Sequence, residues 1–324
     1  MSGGLAIGVD IGGTKVAAGT VDASGRILRR ARRDTPERSS SPRVVEDTIV
    51  DAVEELLADA EQQGEEIVAL GVGAAGFVGA DRATVVFAPH LSWRDEPLRD
   101  ALRARFRRTI TVDNDANAAA WAESRFGAAR GETHVAMITL GTGIGGALLF
   151  DGVLQRGRHG IAGEFGHMQV VPDGIRCECG NRGCWEQYAS GNALVREARG
   201  LMSARSPVAE DLLERVGGDP SRLAGPLVTE AAREGDPTAR ELLAEVGHWL
   251  GVGLANLAAA FDPGMFVVGG GVSAAGDLLL EPARLAYRRH LPGRGYRPEA
   301  QIVAAALGPD AGLIGAADLA RAEN

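Results

Sequence analysis

The composition of this 324-residue chain is that of an ordinary globular protein, with 45% hydrophobic and 24% charged residues. Its length favours two domains. The net charge of −9, without any polybasic block, argues against nucleic acid or an anionic membrane as the main partner. The chain has no 18-residue apolar run and no signal peptide, so we expect a cytoplasmic protein.

The first third of the chain alternates strands with helices. Apolar runs and their bounding turn residues predict strands at Leu5–Ile11, Lys15–Val21, Arg26–Arg33, Ile67–Val72 and Thr109–Val112. Apolar residues at helical spacing predict a helix over Val44–Gln63, and Gly64 is a good stop signal. An alanine-rich helix is expected from Asp113 to about Arg125. This alternation indicates an α/β fold.

The same order restarts in the middle of the chain. A predicted strand at His134–Leu140 is followed by the loop Gly141–Gly146, a strand at Ala147–Phe150 and a polar turn. This repeats the N-terminal plan of strand, Gly/Thr turn, strand and turn. We interpret it as an internal duplication in which two halves face each other across a cleft.

The C-terminal half is predicted to be mostly helical over about Asn192–Ala260, with surface loops at Gly200–Ser206 and Gly217–Gly225. The remaining predicted elements are strands at Met265–Val268 and Gln301–Leu307 and a last helix at Ala311–Ala322.

Three glycine loops, residues 12–15, 141–146 and 269–271, directly follow buried apolar strands. Residues 141–146 and 71–76 both match the letters of the dinucleotide fingerprint, but that motif needs a helix after the loop, and Gly146 precedes a strand. The loop at 12–15 departs from Walker A because Thr14 occupies the lysine position. The chain is therefore not expected to bind a nucleotide in either of these two ways.

A glycine-rich hairpin tip is nevertheless suited to phosphate binding. Its backbone N–H groups can approach phosphate oxygens closely, and the hydroxyls of Thr14 and Thr142 add donors. Asp10 ends the first strand, where it is placed to hold Mg²⁺ through water. Tight turns in a glycine-rich protein are the simpler alternative.

The run Asp113-Asn114-Asp115-Ala116-Asn117 opens the alanine-rich helix. A helix N-cap needs only one Asp or Asn, and capping alone is one explanation of the run. Phosphoryl transfer to an alcohol needs a carboxylate that accepts the hydroxyl proton, and a helix N-terminus keeps a carboxylate ionised. We therefore predict Asp115 as this base and Asn114 as a residue that orients a sugar hydroxyl.

All three cysteines lie within eight positions, at Cys177, Cys179 and Cys184. With His167 they form a Cys₃His set, which predicts a closed, tetrahedral structural zinc site. Such a site has no vacant position for zinc-bound water, so no zinc chemistry is expected. A redox pair of Cys177 and Cys179, or simply buried cysteines, are the alternatives.

Five motifs spread over nearly the whole chain carry a resemblance to a known family. They are Asp10-x-Gly-Gly-Thr-Lys15, Asn114-Asp115-Ala-Asn117, Leu140-Gly-Thr-Gly-Ile-Gly-Gly146, Gly163-Glu-Phe-Gly-His167 and Cys177-x-Cys-Gly-x-x-Gly-Cys184-x-Glu186. In order and spacing they resemble the ROK family (repressors, open reading frames and sugar kinases). Within that family they are most similar to the ATP-dependent glucokinases of actinobacterial type.

The resemblance implies an α/β fold of the actin-like ATPase (ribonuclease H-like) class, with two domains around a cleft and a structural zinc loop. The small domain would contain residues 1–121 plus about 308–324. The large domain, 122–307, would carry the zinc site and the sugar-binding loop. The implied reaction is the phosphorylation of D-glucose at its 6-hydroxyl by ATP, which gives glucose 6-phosphate.

The resemblance also implies roles for individual residues. Asp115 would be the general base, and His167 would bind both zinc and sugar. The implied sugar-binding residues are Gly76, Asn114, Asp115, Glu164, His167 and Glu186. The implied ATP-binding residues are Asp10, Gly12, Gly13, Thr14, Lys15, Gly141, Thr142, Gly269, Gly270 and Gly271, with Mg²⁺ near Asp10.

Several alternatives stay open from the sequence. In one alternative the sugar is N-acetylglucosamine, N-acetylmannosamine, fructose or mannose. In another the phosphoryl donor is polyphosphate. A sugar-sensing regulator without catalysis is a further alternative, although the intact Asp115 and Asp10 motifs argue against it as the sole role. The family implies a homodimer or homotetramer.

Overall fold

The computed structural model describes residues 4–323, which form two compact units. The strands are β1 (Leu5–Ile11), β2 (Lys15–Val21), β3 (Ile27–Asp34), β4 (Ile67–Ala74), β5 (Phe77–Val78), β6 (Val85–Phe87), β7 (Arg94–Glu96), β8 (Thr109–Asn114), β9 (Val135–Leu140), β10 (Ile144–Phe150), β11 (Val153–Leu154), β12 (Met265–Gly269) and β13 (Gln301–Ala304). The α-helices are α1 (Pro42–Gln62), α2 (Leu98–Arg105), α3 (Asp115–Phe126), α4 (Glu186–Ala189), α5 (Gly191–Ser203), α6 (Glu210–Arg215), α7 (Gly225–Glu234), α8 (Pro237–Phe261), α9 (Asp277–His290) and α10 (Ala311–Ala322).

The first unit contains the residues up to Thr133, then Ala147–Gly163, and the residues from Ala306 on. The second unit contains His134–Gly146 and Glu164–Ala305. The limits predicted from the sequence assign residues 122–133 and 147–163 to the large domain, whereas their contacts group them with the first unit. Helix α3, which a boundary at 121 would cut, packs along its length on α10. The domain limits themselves stay a prediction.

The main sheet of the first unit has the order β3–β2–β1–β4–β8. Strand β1 pairs antiparallel with β2 and parallel with β4, and β4 pairs parallel with β8. The register places Asp10 beside Gly73, and Gly73 beside Asp113. Because the carboxyl ends of parallel strands meet at one edge of a sheet, Asp10 and the start of α3 lie at the same edge.

Helix α10 packs on this sheet and on α3 through glycines that admit another backbone. A Cβ on Gly71 would lie 1.8 Å from the carbonyl oxygen of Ala316, and one on Gly315 would lie 1.7 Å from that of Ala118. Only glycine permits such approaches, since real Cβ atoms never come closer than about 3 Å. The glycine at position 71 therefore serves helix packing.

Glu123 is a fully buried carboxylate of α3. Its oxygens accept hydrogen bonds from the backbone N–H groups of Ala128, Ala306 and Leu307, at 2.7, 3.1 and 2.8 Å. The chain first leaves the first unit after Thr133 and makes its last return to it at Ala306. Glu123 thus fixes the backbone beside two of the points where the chain crosses between the units. The three backbone N–H groups provide hydrogen bonds to a carboxylate that would otherwise be costly to bury.

The second five-stranded sheet has the order β11–β10–β9–β12–β13. Strand β12 pairs parallel with β9 and with β13, so that Val268 lies beside Ile138 and beside Ala304. In both large sheets three consecutive strands are thus followed by two later strands, which agrees with the predicted duplication. Among the described residues one helix, α8, has the length and composition of a membrane span, with mean hydropathy 1.2; 61% of that window is buried in the protein, as in a core helix.

The structure confirms most predicted elements and corrects several boundaries. Helix α3 begins at Asp115 because Asp113 and Asn114 still belong to β8. The predicted loop at 200–206 is wrong for its first four residues, which complete α5, and β13 ends at Ala304, three residues before the predicted limit. The predicted loop at 217–225 contains a 3₁₀ turn, Pro220–Arg222.

Candidate active site

The N-terminus of α3 brings three predicted sugar-site residues together in the first unit. Asn114 caps the helix, and its Oδ1 accepts hydrogen bonds from the N–H groups of Ala116 and Asn117 at 2.9 and 3.1 Å. Its Nδ2 donates to the carbonyl oxygen of Gly76 at 3.1 Å. A side-chain amide has two N–H donors and two acceptor lone pairs, so Asn114 keeps one N–H for a further partner.

Asp115 is the first residue of α3, and its Oδ1 lies 2.9 Å from its neighbour's N–H at Ala116. An acidic side chain is favoured at this position by the partial positive charge of the helix N-terminus. Gly76 packs closely on the β6 region, where a Cβ would lie 2.4 Å from the carbonyl oxygen of Phe87. The capping explanation of this run therefore holds for Asn114, while Asp115 stands at the helix start as an acid that capping does not require.

Sequence reasoning missed the role of Asp113, which is 3% exposed. Its Oδ1 accepts from the N–H of Asn114 at 2.9 Å and from Nδ2 of Asn117 at 3.0 Å. Its Oδ2 accepts from Nε and Nη2 of Arg156 at 2.9 and 2.6 Å, and Nη2 of Arg82 lies 3.1 Å away. Asp113 thus holds the backbone directly before Asp115, and two guanidinium groups neutralise it.

The β1–β2 turn carries the first predicted nucleotide loop. The N–H of Gly12 donates to the carbonyl oxygen of Lys15 at 3.0 Å, and Thr35 Oγ1 donates to the carbonyl oxygen of Gly12 at 2.8 Å. Gly13 and Thr14 are exposed at the tip, and Lys15, the only lysine of the chain, is half-buried at the start of β2. The tip therefore presents small residues and one cation to an incoming anion.

Asp10 lies beneath this loop against the start of α10. A Cβ on Gly312 would lie 3.0 Å from the carboxyl carbon of Asp10, so the glycine leaves room for the acid. Burial raises the pKa of Asp10 to about 6, and the charge of Lys15 opposes this shift. Ionising a buried carboxylate is costly, and a nearby cation stabilises the ionised form. The burial of Asp10 therefore agrees with the predicted Mg²⁺ at this position.

The second unit holds the other predicted nucleotide loops side by side. Gly270 has a φ of 84°, and a Cβ there would lie 2.4 Å from the carbonyl oxygen of Leu140. Gly269, Gly270 and Gly271 therefore adjoin the start of the loop that contains Gly141 and Thr142. Gly141 and Thr142 are exposed, as a phosphate-binding loop requires.

The zinc-ligand prediction matches the geometry of the second unit. The candidate ligand atoms of His167, Cys177, Cys179 and Cys184 all lie within 4.8 Å of one another. Cys177 Sγ lies 3.7 Å from His167 Nδ1, and Cys179 Sγ lies 3.6 Å from Cys184 Sγ. A tetrahedral zinc with normal bond lengths would separate these pairs by about 3.6 and 3.8 Å. The residues present therefore fit a structural Cys₃His zinc site, as ligand type and spacing predicted.

The zinc segment is anchored to α8 by a tryptophan that follows the last cysteine. Trp185 is fully buried, and its Nε1 donates to the carbonyl oxygen of Trp249 at 2.7 Å. A Cβ on Gly253 would lie 2.0 Å from the Trp185 ring, so this glycine opens the slot that the indole fills. The anchor fixes the backbone from which Glu186 projects.

Two predicted sugar-binding carboxylates lie beside the Cys₃His group. Glu186 Oε1 lies 3.6 Å from His167 Nδ1, and the Cys177 thiol donates to the same oxygen at 3.1 Å. Burial raises the pKa of Glu164, Glu186 raises it further, and His167 opposes the shift. His167 and Glu186 thus lie close together, and the carboxyl group of Glu164 interacts electrostatically with both.

The predicted site residues therefore fall into two sets. The set in the first unit comprises Asp10, Gly12, Gly13, Thr14, Lys15, Gly76, Asn114 and Asp115. The set in the second unit comprises Gly141, Thr142, Glu164, His167, Cys177, Cys179, Cys184, Glu186, Gly269, Gly270 and Gly271. Within each unit the structure brings the predicted groups together; their functional roles stay predictions.

The fold is the mixed α/β fold of the actin-like sugar kinases, as the resemblance of the sequence motifs implied. The chain belongs to the ROK family, whose model matches residues 6–323. It is 51% identical to the glucokinase of Streptomyces coelicolor over 98% of both chains, and 36% identical to the glucokinase of Thermotoga maritima over 97% of this chain and 96% of that one. Its structure is similar to that of a ROK family glucokinase from Streptomyces griseus in complex with glucose and AMPPNP, with a TM-score of 0.89 and 51% identity, covering 98% of this chain and 100% of that one.

Proposed function

We propose that this protein is an ATP-dependent glucokinase, which transfers the γ-phosphoryl group of ATP to the 6-hydroxyl of D-glucose. The products are ADP and glucose 6-phosphate. The observation that carries the proposal is the similarity, along nearly the whole chain, to the Streptomyces griseus glucokinase that binds glucose and AMPPNP. The placement of Asp115 at a helix start and of the Glu186 carboxylate beside the Cys₃His group supports it.

In this proposal Asp115 accepts the proton of the 6-hydroxyl while the oxygen attacks the γ-phosphorus. The helix N-terminus favours a carboxylate at the position of Asp115, and the buried Asp113 holds the backbone before it through the N–H of Asn114. The remaining N–H of Asn114 donates to a sugar hydroxyl. The backbone of Gly76, to which Asn114 is hydrogen-bonded, also contacts the sugar. Positioning of the two reactants accounts for most of the rate enhancement in such a transfer.

The second unit supplies most of the proposed sugar contacts. Glu164 and Glu186 accept hydrogen bonds from glucose hydroxyls. His167 turns Nδ1 to the cysteines, which leaves Nε2 for the sugar, and a metal-bound imidazole has a fixed tautomer. A zinc-bound thiolate has no proton to donate, so zinc would also free Glu186 Oε1 from its present donor, Cys177.

Zinc, where bound by His167, Cys177, Cys179 and Cys184, would supply structural cross-linking only. Magnesium near Asp10 would neutralise phosphate charge on ATP. The chain's own nucleotide contacts in this proposal are the backbone N–H groups and hydroxyls of the loops at 12–15, 141–142 and 269–271, with Lys15 as the one cationic side chain among them.

The test is an ATP-dependent activity screen over hexoses, with zinc quantified on the same preparation. We expect the highest kcat/KM with glucose, and about one zinc per chain. A much higher kcat/KM with N-acetylglucosamine, N-acetylmannosamine, fructose or mannose would replace glucose as the substrate. Turnover with polyphosphate in place of ATP would change the donor, and binding of sugar without any turnover would indicate a sensor.

We also place the protein in the cytoplasm, where its proposed substrates occur, and we propose a homodimer or homotetramer. Light scattering after size-exclusion chromatography measures the mass in solution. A mass of one 33.7 kDa chain at working concentration would contradict the assembly.

A further inference from the structure

The carboxylate of Glu186 lies between the Cys₃His group and the glycine loop after β9. Oε1 faces the cluster, 3.1 Å from Cys177 Sγ. Oε2 faces the loop and lies 2.5 Å from the position that a Cβ on Gly143 would occupy. The proposed sugar-binding carboxylate therefore fills the space that a side chain at position 143 would need.

Glycine is needed at position 143 because there is no space for a side chain. Its backbone conformation is not the reason, since other residues can adopt it. Its φ lies outside the left-handed region that favours glycine. Apart from its chain neighbours, the side chain of Glu186 is the only group of the described residues within 4 Å of the added Cβ. A methyl group at position 143 would thus meet one flexible carboxylate and no other group.

The other side of the same loop is held by the segment that follows Glu186. The N–H of Gly191 donates to the carbonyl oxygen of Gly141 at 2.8 Å, and the N–H of Asn192 donates to that of Thr142 at 3.3 Å. Residues 186–192 therefore carry the sugar carboxylate at one end and the donors that hold the proposed phosphate loop at the other. Both the carboxylate and the donors that contact this loop therefore come from one short segment.

We propose that Gly143 is a positioning residue for sugar binding, which acts through its contact with the carboxylate of Glu186. This inference rests on the proposed glucokinase function. The absence of a side chain at 143 lets Glu186 lie against the loop, where the carboxylate is aligned with the sugar hydroxyls. A side chain there would push the carboxylate away from those hydroxyls while leaving Asp115, which lies in the first unit, unchanged.

The first experiment is the variant Gly143→Ala of the full chain, with glucose affinity measured by calorimetry in the absence of nucleotide. We expect glucose binding to weaken by about tenfold or more, as for the loss of a hydrogen bond to a charged group. In steady-state assays the glucose KM should rise more than kcat falls. Zinc content and thermal midpoint should stay at the wild-type values, because the methyl meets only a movable side-chain end.

The matched control is Gly200→Ala in α5 of the same unit, where an added Cβ has no atom within 4 Å and φ is outside the left-handed region. It should bind glucose like the wild type. In a Glu186→Asp background the carboxylate is withdrawn by about 1.5 Å, one C–C bond, so adding Gly143→Ala should change the remaining affinity by less than about twofold.

Unchanged glucose affinity in Gly143→Ala would overturn the inference. So would an equal loss in the wild-type and Glu186→Asp backgrounds, or a loss of zinc, since each would mean that the methyl acts on something other than Glu186. Failure of the proposed function is separate, because it would appear in the wild type as a lack of glucose binding or phosphorylation.

Discussion

The buried carboxylate of Asp113 allows a sharp test of how the catalytic helix is held. In the variant Asp113→Asn, the amide oxygen can still accept from the N–H of Asn114, but the new NH₂ group faces the guanidinium donors of Arg156 and Arg82. Breaking a buried ion pair in this way costs about 3–5 kcal/mol. For a unit of this size each kcal/mol lowers the thermal midpoint by about 2–4 °C, so we expect a fall of roughly 6–20 °C.

The assay is thermal unfolding by circular dichroism, with kcat measured well below the transition. The matched control is Glu55→Gln, which removes the partner of Arg33 in an ion pair whose side chains are 34% and 45% exposed. Exposed pairs contribute about 0–1 kcal/mol, so this variant should melt within about 4 °C of the wild type. A midpoint of Asp113→Asn equal to that of the control would refute the account of Asp113 as a buried anchor.

Three further predictions concern the base, the metal and pH. Asp115→Asn should bind glucose nearly as well as the wild type and lose about 10²–10⁴ in kcat, measured by calorimetry and a coupled assay; near-normal turnover would exclude it as the base. Cys184→Ser should lose zinc and weaken glucose binding, as metal analysis and calorimetry would show; full zinc occupancy would exclude this ligand. Burial, with Glu46 adding to it, raises the pKa of Glu96 to about 7. The folded state thus holds this proton more tightly than the unfolded state. The free energy of unfolding therefore falls as pH rises from about 4.5 through 7. Glu96→Gln should melt higher than the wild type at pH 8, and an unchanged thermal midpoint would contradict this.

The cysteines of the Cys₃His group and the presence of a helix after the Asp/Asn run could be predicted from the sequence because their signals are local, although the helix begins at Asp115 and not at the predicted Asp113. Cys177, Cys179 and Cys184 lie within eight residues, and ligand chemistry allows few alternatives at that spacing. The run before α3 is readable because capping and catalysis both draw on Asp and Asn.

The partners of Asp113 could not be predicted, because they come from distant parts of the chain. Arg156 is 43 residues away and belongs to an irregular segment, so no periodicity or motif relates the two. The contact between Gly143 and Glu186 is equally remote in sequence. Such contacts depend on how the elements pack, which local patterns do not specify.

The missed elements have local causes. Strands β5, β6 and β7 contain only two or three residues, too few for an alternating pattern to be recognised. Helix α9 contains Pro282, a residue that normally indicates a break, and the helix nevertheless continues past it to His290.

The packing of α10 on the first sheet affects the order in which the polypeptide can fold during synthesis. The ribosome makes α10 after every residue of the second unit, yet Gly8, Gly71 and Gly315 are shaped to receive or present its backbone. The N-terminal sheet is synthesised first, and the face that α10 covers stays exposed until α10 is made. The second unit can complete its own core before that. During synthesis the first unit should therefore complete its core after the second unit, which reverses the usual N-terminal-first order.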